Sequence, residues 1–304
     1  MLLVPGDVLR PRRPDEHFAP EALAARDAGL TVAVVDHDAL ADGRADAAVT
    51  RVPPGEDAVY RGWMLGAGRY AGFAAALAAR GTTLRTTPEQ YRRAHELPGW
   101  YDALAPLTPR SVWTSGDDRA GFDQARAELG TGAAVLRDHT KSMKHYWHEA
   151  MYVPDLADAD AAWRVAARLR ELRGDDFTGG FVLRRFEEFA SAEVRTWWVG
   201  GDCVLVGAHP DTPDDPPPAD LDLTPLVPLV ASLNLPFVTV DLARRADSAQ
   251  RADSVRRAGS ARRADPARRS DDVWRIVELG DGQVSDRPVS LAPDALIAAL
   301  HPGR

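Results

Sequence analysis

The strongest constraint on this fold is the punctuation of the N-terminal third, where helical stretches close on a glycine and a short apolar run follows. Residues 22–28 are helix-like, and Gly29 can stop them in a left-handed cap. TVAVV at 31–35 then reads as a β-branched strand ending at Asp36. Residues 58–61 predict a further strand. The alanine-rich stretch 70–80 predicts a strong helix closed by Gly81, and TTLRT at 82–86 resumes as a strand. A chain that alternates in this way builds a parallel sheet covered by helices. Residues 2–4, turned at Pro5-Gly6, supply a buried first strand. Residues 1–115 therefore predict a small Rossmann-like lobe, and the absence of GxGxxG after its first strand argues against a dinucleotide site.

Beyond that lobe the pattern changes. AAVLR at 133–137 is strand-like and 160–173 is an amphipathic helix. Strand pairs follow at 180–186, 193–199 and 203–208, with Gly200-Gly201 marking a hairpin between the last two. A proline-rich loop covers 210–218, a helix is predicted over 223–233, and 237–241 and 274–279 read as two more strands. Between these last two the chain repeats RADSAQ, RADSVR, RAGSAR, RADPAR and RSDD. A period of six matches neither helix nor strand, so no apolar face forms. Residues 244–271 hold nine arginines against four aspartates. Such a segment cannot offset its ordering entropy and is expected to be a disordered insertion in a surface hairpin loop. Long insertions of this kind cost little, so tolerance outweighs an acidic-partner or nucleic-acid role.

Bulk composition removes several classes of function. One cysteine, Cys203, excludes an internal disulfide and a cysteine-based zinc site, and makes a reducing cytoplasm the default. No apolar run approaches the roughly 20 residues that span a bilayer, and the charges near the N-terminus stand in the wrong order for a secretory signal. A formal charge of −8 argues against general nucleic-acid binding.

Four clusters carry chemistry. In RDHTKSMKH at 137–145, Arg137, Lys141 and Lys144 suit a phosphate clamp at a strand exit, with a solvated charged loop as the plain alternative. In FVLRRFEEF at 181–189, neighbouring strand residues face opposite sides, so only one of Arg184 and Arg185 points inward. In EVRTWWV at 193–199, Glu193, Arg195 and Trp197 share one face, and a buried Arg195 demands an anion, either Glu193 or a phosphate. Finally, Asp241 and Glu278 fall on adjacent antiparallel strands if the repeat is a hairpin loop, and two such carboxylates repel unless a cation lies between them. Magnesium binds oxygen ligands of this type. The eight histidines show no metal-protease spacing, and His145 and His148 read as a solvated pair.

These clusters, in this order, resemble the ATP-grasp superfamily, and most closely its divergent clade marked by two arginines and a lysine. That clade includes the eukaryotic cell-division-cycle protein that assists assembly of a translation initiation factor. The resemblance covers roughly 110–290: VLR at 182–184, EVR at 193–195, LRDHTKSMKHYW at 136–147, VDLA at 240–243 and VELGDGQ at 277–283. It implies an α/β (α+β) chain, with 1–115 as the pre-ATP-grasp lobe. Residues 116–304 become an ATP-grasp domain whose two mainly antiparallel lobes sandwich ATP. It implies that Arg184 and Arg195 bind triphosphate or acyl-phosphate oxygens and act in catalysis, and that Arg137, Lys141, Lys144 and Glu187 join them around ATP. Asp241 and Glu278 would hold Mg2+. Two departures stand out. Arg137 occupies a strand position usually held by lysine, and Gly280 stands where many ATP-grasp enzymes place a metal-binding asparagine. Asp281 is the expected replacement, ahead of Gln283.

The implied reaction joins an unidentified carboxylate, whether free or on a protein or peptide, to an amine or related nucleophile through an acyl phosphate. The competing reading is a nucleotide-binding assembly factor or chaperone of the same fold without ligase turnover. Substrate-dependent phosphate release separates the two.

Overall fold

The computed structural model describes residues 1–246, 274–288 and 290–301. The arginine repeat therefore falls almost entirely outside the described residues. The chain divides into two compact units, one of Met1–Ala94, Val194–Asp241 and Glu278–Arg304, the other of His95–Glu193 and Leu242–Val277.

In the first unit, β1 (Leu2–Pro5), β2 (Val32–Val35), β3 (Gly55–Tyr60) and β4 (Thr82–Leu84) form a sheet in the order β2-β1-β3-β4. Each pairing is parallel, as the alternation predicts. The helix Ala19–Asp27 ends before Gly29 at φ 76°, and the helix Ala67–Ala78 ends before Gly81 at φ 78°. Both glycines thus take the left-handed turn that glycine adopts without strain. Asp36 closes β2 and caps the next helix, His37–Ala41, by accepting the Ala39 N–H. Alternation along β1 sends Leu3 into a cluster with Val35, Tyr60, Tyr70 and Phe73, while Leu2 and Val4 join Phe18, Ala22 and Ile297. Both sheet faces are covered, and each fully buried large side chain contributes about 1.5–3 kcal/mol.

One ion pair ties the C-terminal segment into this unit. Arg61, 1% exposed, donates two hydrogen bonds to Glu21 and others to the carbonyls of Gln283 and Ser285. A lone buried guanidinium would be costly; this one has a carboxylate and a ring of acceptors.

The second unit contains β5 (Ser111–Trp113), β6 (Ala134–Asp138), β7 (Tyr152–Val153) and β8 (Phe181–Arg185), an antiparallel sheet in the order β5-β8-β6-β7. The helices Arg119–Leu129 and Ala159–Arg173 begin at Asp118 and Asp158, whose carboxylates accept the Gly121 and Ala161 N–H groups. Phe122, Leu136, Leu169, Phe181 and Leu183 lie in its core.

The third sheet, ordered β10-β9-β11-β12, carries the residues of greatest interest. Strands β9 (Val194–Val199) and β10 (Asp202–Ala208) form the predicted hairpin, with Gly200 at φ 60° and Gly201 at φ 95° in the turn. Strand β11 covers Phe237–Arg244 and β12 covers Trp274–Asp281. Gly282 N donates to Phe237 O, and a Cβ at Gly280 would meet Thr239 Oγ1. Pairs 237/282 and 239/280 run in opposite directions, so the next pair in this antiparallel register is Asp241 with Glu278. Trp197 and Trp198 are both core residues. The helix expected over 223–233 spans only Val227–Ser232, because Thr224 turns onto the Asp222 carboxylate and Pro228 opens the helix from its first turn. No helix among the described residues is long and apolar enough to cross a membrane.

Candidate functional site

The face of β9, β11 and β12 brings together three of the residues singled out from sequence. Arg195 forms a two-pronged ion pair with Asp241, Nε to Oδ1 at 2.8 Å and Nη2 to Oδ2 at 2.8 Å. The side chains are 12% and 4% exposed. Glu278 acts on the same guanidinium electrostatically. Arg195 thus supplies positive charge to both carboxylates. Burial alone would push the Asp241 carboxyl up, but the hydrogen bonds and charge of Arg195, with His209 adding to them, take it down to about 2. A carboxylate held ionised in a buried place is the electrostatic requirement for binding a cation.

Sequence reasoning did not single out His209. It is 6% exposed, immediately follows β10, and sets Nε2 2.9 Å from Arg195 Nη2 and 3.5 Å from Asp241 Oδ2. The signal was present in the hairpin: its register pairs Gly207 with Arg195, and two residues further along the same face comes His209.

Asp281 has different surroundings. Its Oδ1 accepts the Gln283 N–H at 2.8 Å and Gln283 Nε2 at 3.1 Å, and Gln283 Nε2 in turn reaches the Tyr70 hydroxyl at 3.0 Å. Alternation along β12 sets Asp281 on the face opposite Glu278. At 1% exposure, burial pushes its carboxyl up to about 7 against the opposing hydrogen bonds of Gln283 and the charge of Arg61.

In the second unit Arg184 is the inward arginine of its pair, 8% exposed, donating to the carbonyls of Ile276 and Val277 and to Thr108 Oγ1. Arg185 faces the other way, onto the carbonyls of Leu129 and Thr131. Glu187 holds Arg275 through two hydrogen bonds of 2.8 Å. Arg137 is buried at the end of β6 and donates to Thr140 O at 2.6 Å. Lys141 and Lys144 are exposed, as are His145 and His148. The loop that presents them is shaped by Asp138, a residue that sequence reasoning also missed. Its fully buried carboxylate accepts the N–H groups of Thr140 and Lys141 at 2.7 and 2.6 Å, and Arg173 Nε at 2.7 Å. An aspartate that folds its own following turn is a local signal, visible in Asp138-His139-Thr140.

The family of ATP-grasp domains described as family 3 of the two-arginine, one-lysine clade matches residues 128–252 and 251–300. Solved structures of the same fold include an ATP-grasp RimK domain protein from Sphaerobacter thermophilus, 16% identical over all of both chains with a TM-score of 0.61. Others are the D-cycloserine synthetase DcsG, 20% identical over 98% of this chain and 99% of that one with a TM-score of 0.56, and the ATP-grasp ligase PsnB complexed with precursor peptide PsnA2 and AMPPNP, 12% identical over 99% and 96% with a TM-score of 0.54. A search of the curated proteins finds no match. The chain is an ATP-grasp protein. Within that superfamily it belongs to family 3 of the clade named for its two arginines and one lysine.

The family implies a magnesium ion. Its chemistry asks for hard oxygen donors, usually one or two carboxylates alongside nucleotide phosphates. The ionised Asp241, with Glu278 next in register, fits that demand.

Proposed function

We propose that this protein is an ATP- and Mg2+-dependent ligase that activates a carboxylate as an acyl phosphate and passes the acyl group to an amine or a related nucleophile. The observation that carries this reading is the Arg195–Asp241 pair with Glu278: a guanidinium and two carboxylates grouped in an ATP-grasp chain. Asp241 and Glu278 hold the metal, which neutralises phosphate charge when bound. Arg195 orients and stabilises phosphate oxygens. Arg184, Arg137, Lys141, Lys144 and Glu187 are the further nucleotide-binding residues, with Arg184 contributing to the transferring phosphoryl group. Asp281, expected from sequence as a third metal ligand, lies on the face of β12 opposite Glu278 and is bonded within the Gln283–Tyr70 network, so the metal set proposed here is Asp241 with Glu278.

The chemistry asks for no nucleophilic side chain. A substrate carboxylate oxygen attacks the γ-phosphorus, the bond to the β–γ bridging oxygen breaks, and ADP leaves. The amine then attacks the acyl carbon, inorganic phosphate departs, and the amine gives up a proton to solvent. Such transfer depends on positioning and on neutralising charge, which a set of cations and metal-holding carboxylates supplies. The neighbours named as D-cycloserine synthetase and as a ligase complexed with a precursor peptide make small amines and peptides the first acceptors to try.

The test is ADP release measured across panels of carboxylic acids, amines and peptides, with hydroxylamine added to trap acyl phosphate as a hydroxamate. Substrate-dependent ADP release with hydroxamate formation supports ligase chemistry. Tight Mg·ATP binding without either, across panels that include peptides, favours the assembly-factor reading.

A further inference from the structure

Resting on the proposed metal role of Asp241, we propose that His209 is a metal ligand beside it, giving this site a mixed nitrogen–oxygen donor set in place of an all-oxygen one. The Arg195 guanidinium sets a cation at this point. The Nη2 of Arg195 lies 2.8 Å from Asp241 Oδ2 and 2.9 Å from His209 Nε2. A guanidinium presents only N–H groups, so a ring nitrogen that pairs with it offers its lone pair. The two donors that surround this stand-in cation are a carboxylate oxygen and an imidazole nitrogen, both buried.

The other ring nitrogen has two partners. Nδ1 faces Asp211, whose N–H is 3.1 Å away and whose carboxylate is 3.6 Å away. These contacts suit opposite tautomers. When Nε2 carries the lone pair, the neutral ring's proton sits on Nδ1, and the Asp211 carboxylate must close in from 3.6 Å, in place of its N–H, to accept it. A carboxylate behind a ligating histidine fixes ring orientation and raises the basicity of the ligating nitrogen.

A further side chain on this face of β12 would be tight at position 280. Gly280 shares a face with Glu278. A Cβ there would fall 3.0 Å from Thr239 Oγ1 and 3.2 Å from Ser285 Oγ, hydroxyls that bond to each other at 2.7 Å. A longer ligand at 280 would have to displace that pair. The imidazole at 209 supplies a donor from the neighbouring hairpin, and nitrogen donors favour Mn2+ and later divalent ions over Mg2+.

The experiment uses the full chain with Mn2+ and a non-hydrolysable ATP analogue, read by pulsed electron paramagnetic resonance for nitrogen coupled to the metal. Expected is a 14N modulation that changes to the 15N pattern in protein grown with 15N-histidine. His209→Gln should lose it and bind Mn2+ at least about tenfold more weakly, the lower end of what losing even an outlying partner of a ligand costs. Bound Mn2+ without histidine nitrogen coupling overturns this proposal and leaves the Asp241 site standing. No Mn2+ binding by the wild-type chain, with or without nucleotide, overturns the proposal together with the functional reading beneath it. The isotope arm needs no variant, so a misfolded His209→Gln does not blunt the test.

Discussion

Arg195 and Arg184 are both strand arginines with little exposure, but the bonds that hold them differ. Arg195 meets a carboxylate, Asp241, through two hydrogen bonds of 2.8 Å. Arg184 meets neutral acceptors, the carbonyls of Ile276 and Val277 and the Thr108 hydroxyl. In the first case two opposite charges hold each other, so a metal and a phosphate can each take one partner without stranding the other. The contrast is between an arginine bonded to a carboxylate and one bonded to carbonyls and a hydroxyl.

Breaking the first pair should give the largest effect. Asp241→Ala leaves Arg195 buried beside Glu278 without its bonded counter-ion, and such a loss costs about 3–5 kcal/mol; equilibrium urea unfolding would measure it. A cost below about 1 kcal/mol would mean that water or Glu278 takes over fully.

The comparison sharpens when pH is used on two buried carboxylates of the same sheet, pushed in opposite directions. Asp281 is raised from 3.8 to about 7. Between those values the folded state binds more protons than the unfolded one, so stability is full below 3.8 and falls as pH rises toward 7. The loss amounts to several kcal/mol, because each tenfold difference in proton affinity is worth about 1.4 kcal/mol. Asp281→Asn, which cannot ionise, should flatten that decline in thermal melts. Asp241, lowered to about 2, behaves oppositely. Its contribution of about 2 kcal/mol is present above 3.8 and disappears as pH falls through 2. An acid limb unchanged in Asp241→Asn would contradict that ion pair.

The ion pair of Glu187 with Arg275 is intermediate, 14% and 12% exposed. Glu187→Gln keeps a hydrogen-bond acceptor and should cost about 1–2 kcal/mol, seen as a shift in urea midpoint without change in slope. Least affected should be Thr108→Val, which removes one neutral acceptor of Arg184 and leaves the two carbonyls in place. About 1 kcal/mol is expected, measured by the same urea titration. If it rivalled Asp241→Ala, the distinction between charged and neutral partners would fail.

Much of the architecture was legible because local chemistry and global fold agree. Glycines after helices pointed to the parallel sheet, and Gly200-Gly201 to the hairpin. Strand alternation separated Arg184 from Arg185 only in the sense that one must face in; the choice came from packing. Arg195, Asp241 and Glu278 were legible because charges inside apolar strands are costly enough to need a reason. Asp281 was harder. GDGQ shows an acidic turn, but only the fold reveals that Gln283 and Tyr70 surround that carboxylate. His209 looked like a lone histidine before a proline-rich loop, and its partner Arg195 is visible only once the hairpin register is counted. The assignment of residues to two units depends on long-range contacts such as Arg61 with the 282–285 turn, which no local pattern encodes.

The most direct test of the central claim is isothermal titration of ATP with Mg2+ into the wild-type chain and into an Asp241→Asn, Glu278→Gln double variant. Tight, Mg2+-dependent binding is predicted for the wild type, with loss of at least about a hundredfold in the variant, in keeping with removal of both proposed metal ligands. Absence of binding in the wild type, or equal affinity in the two proteins, would contradict that claim.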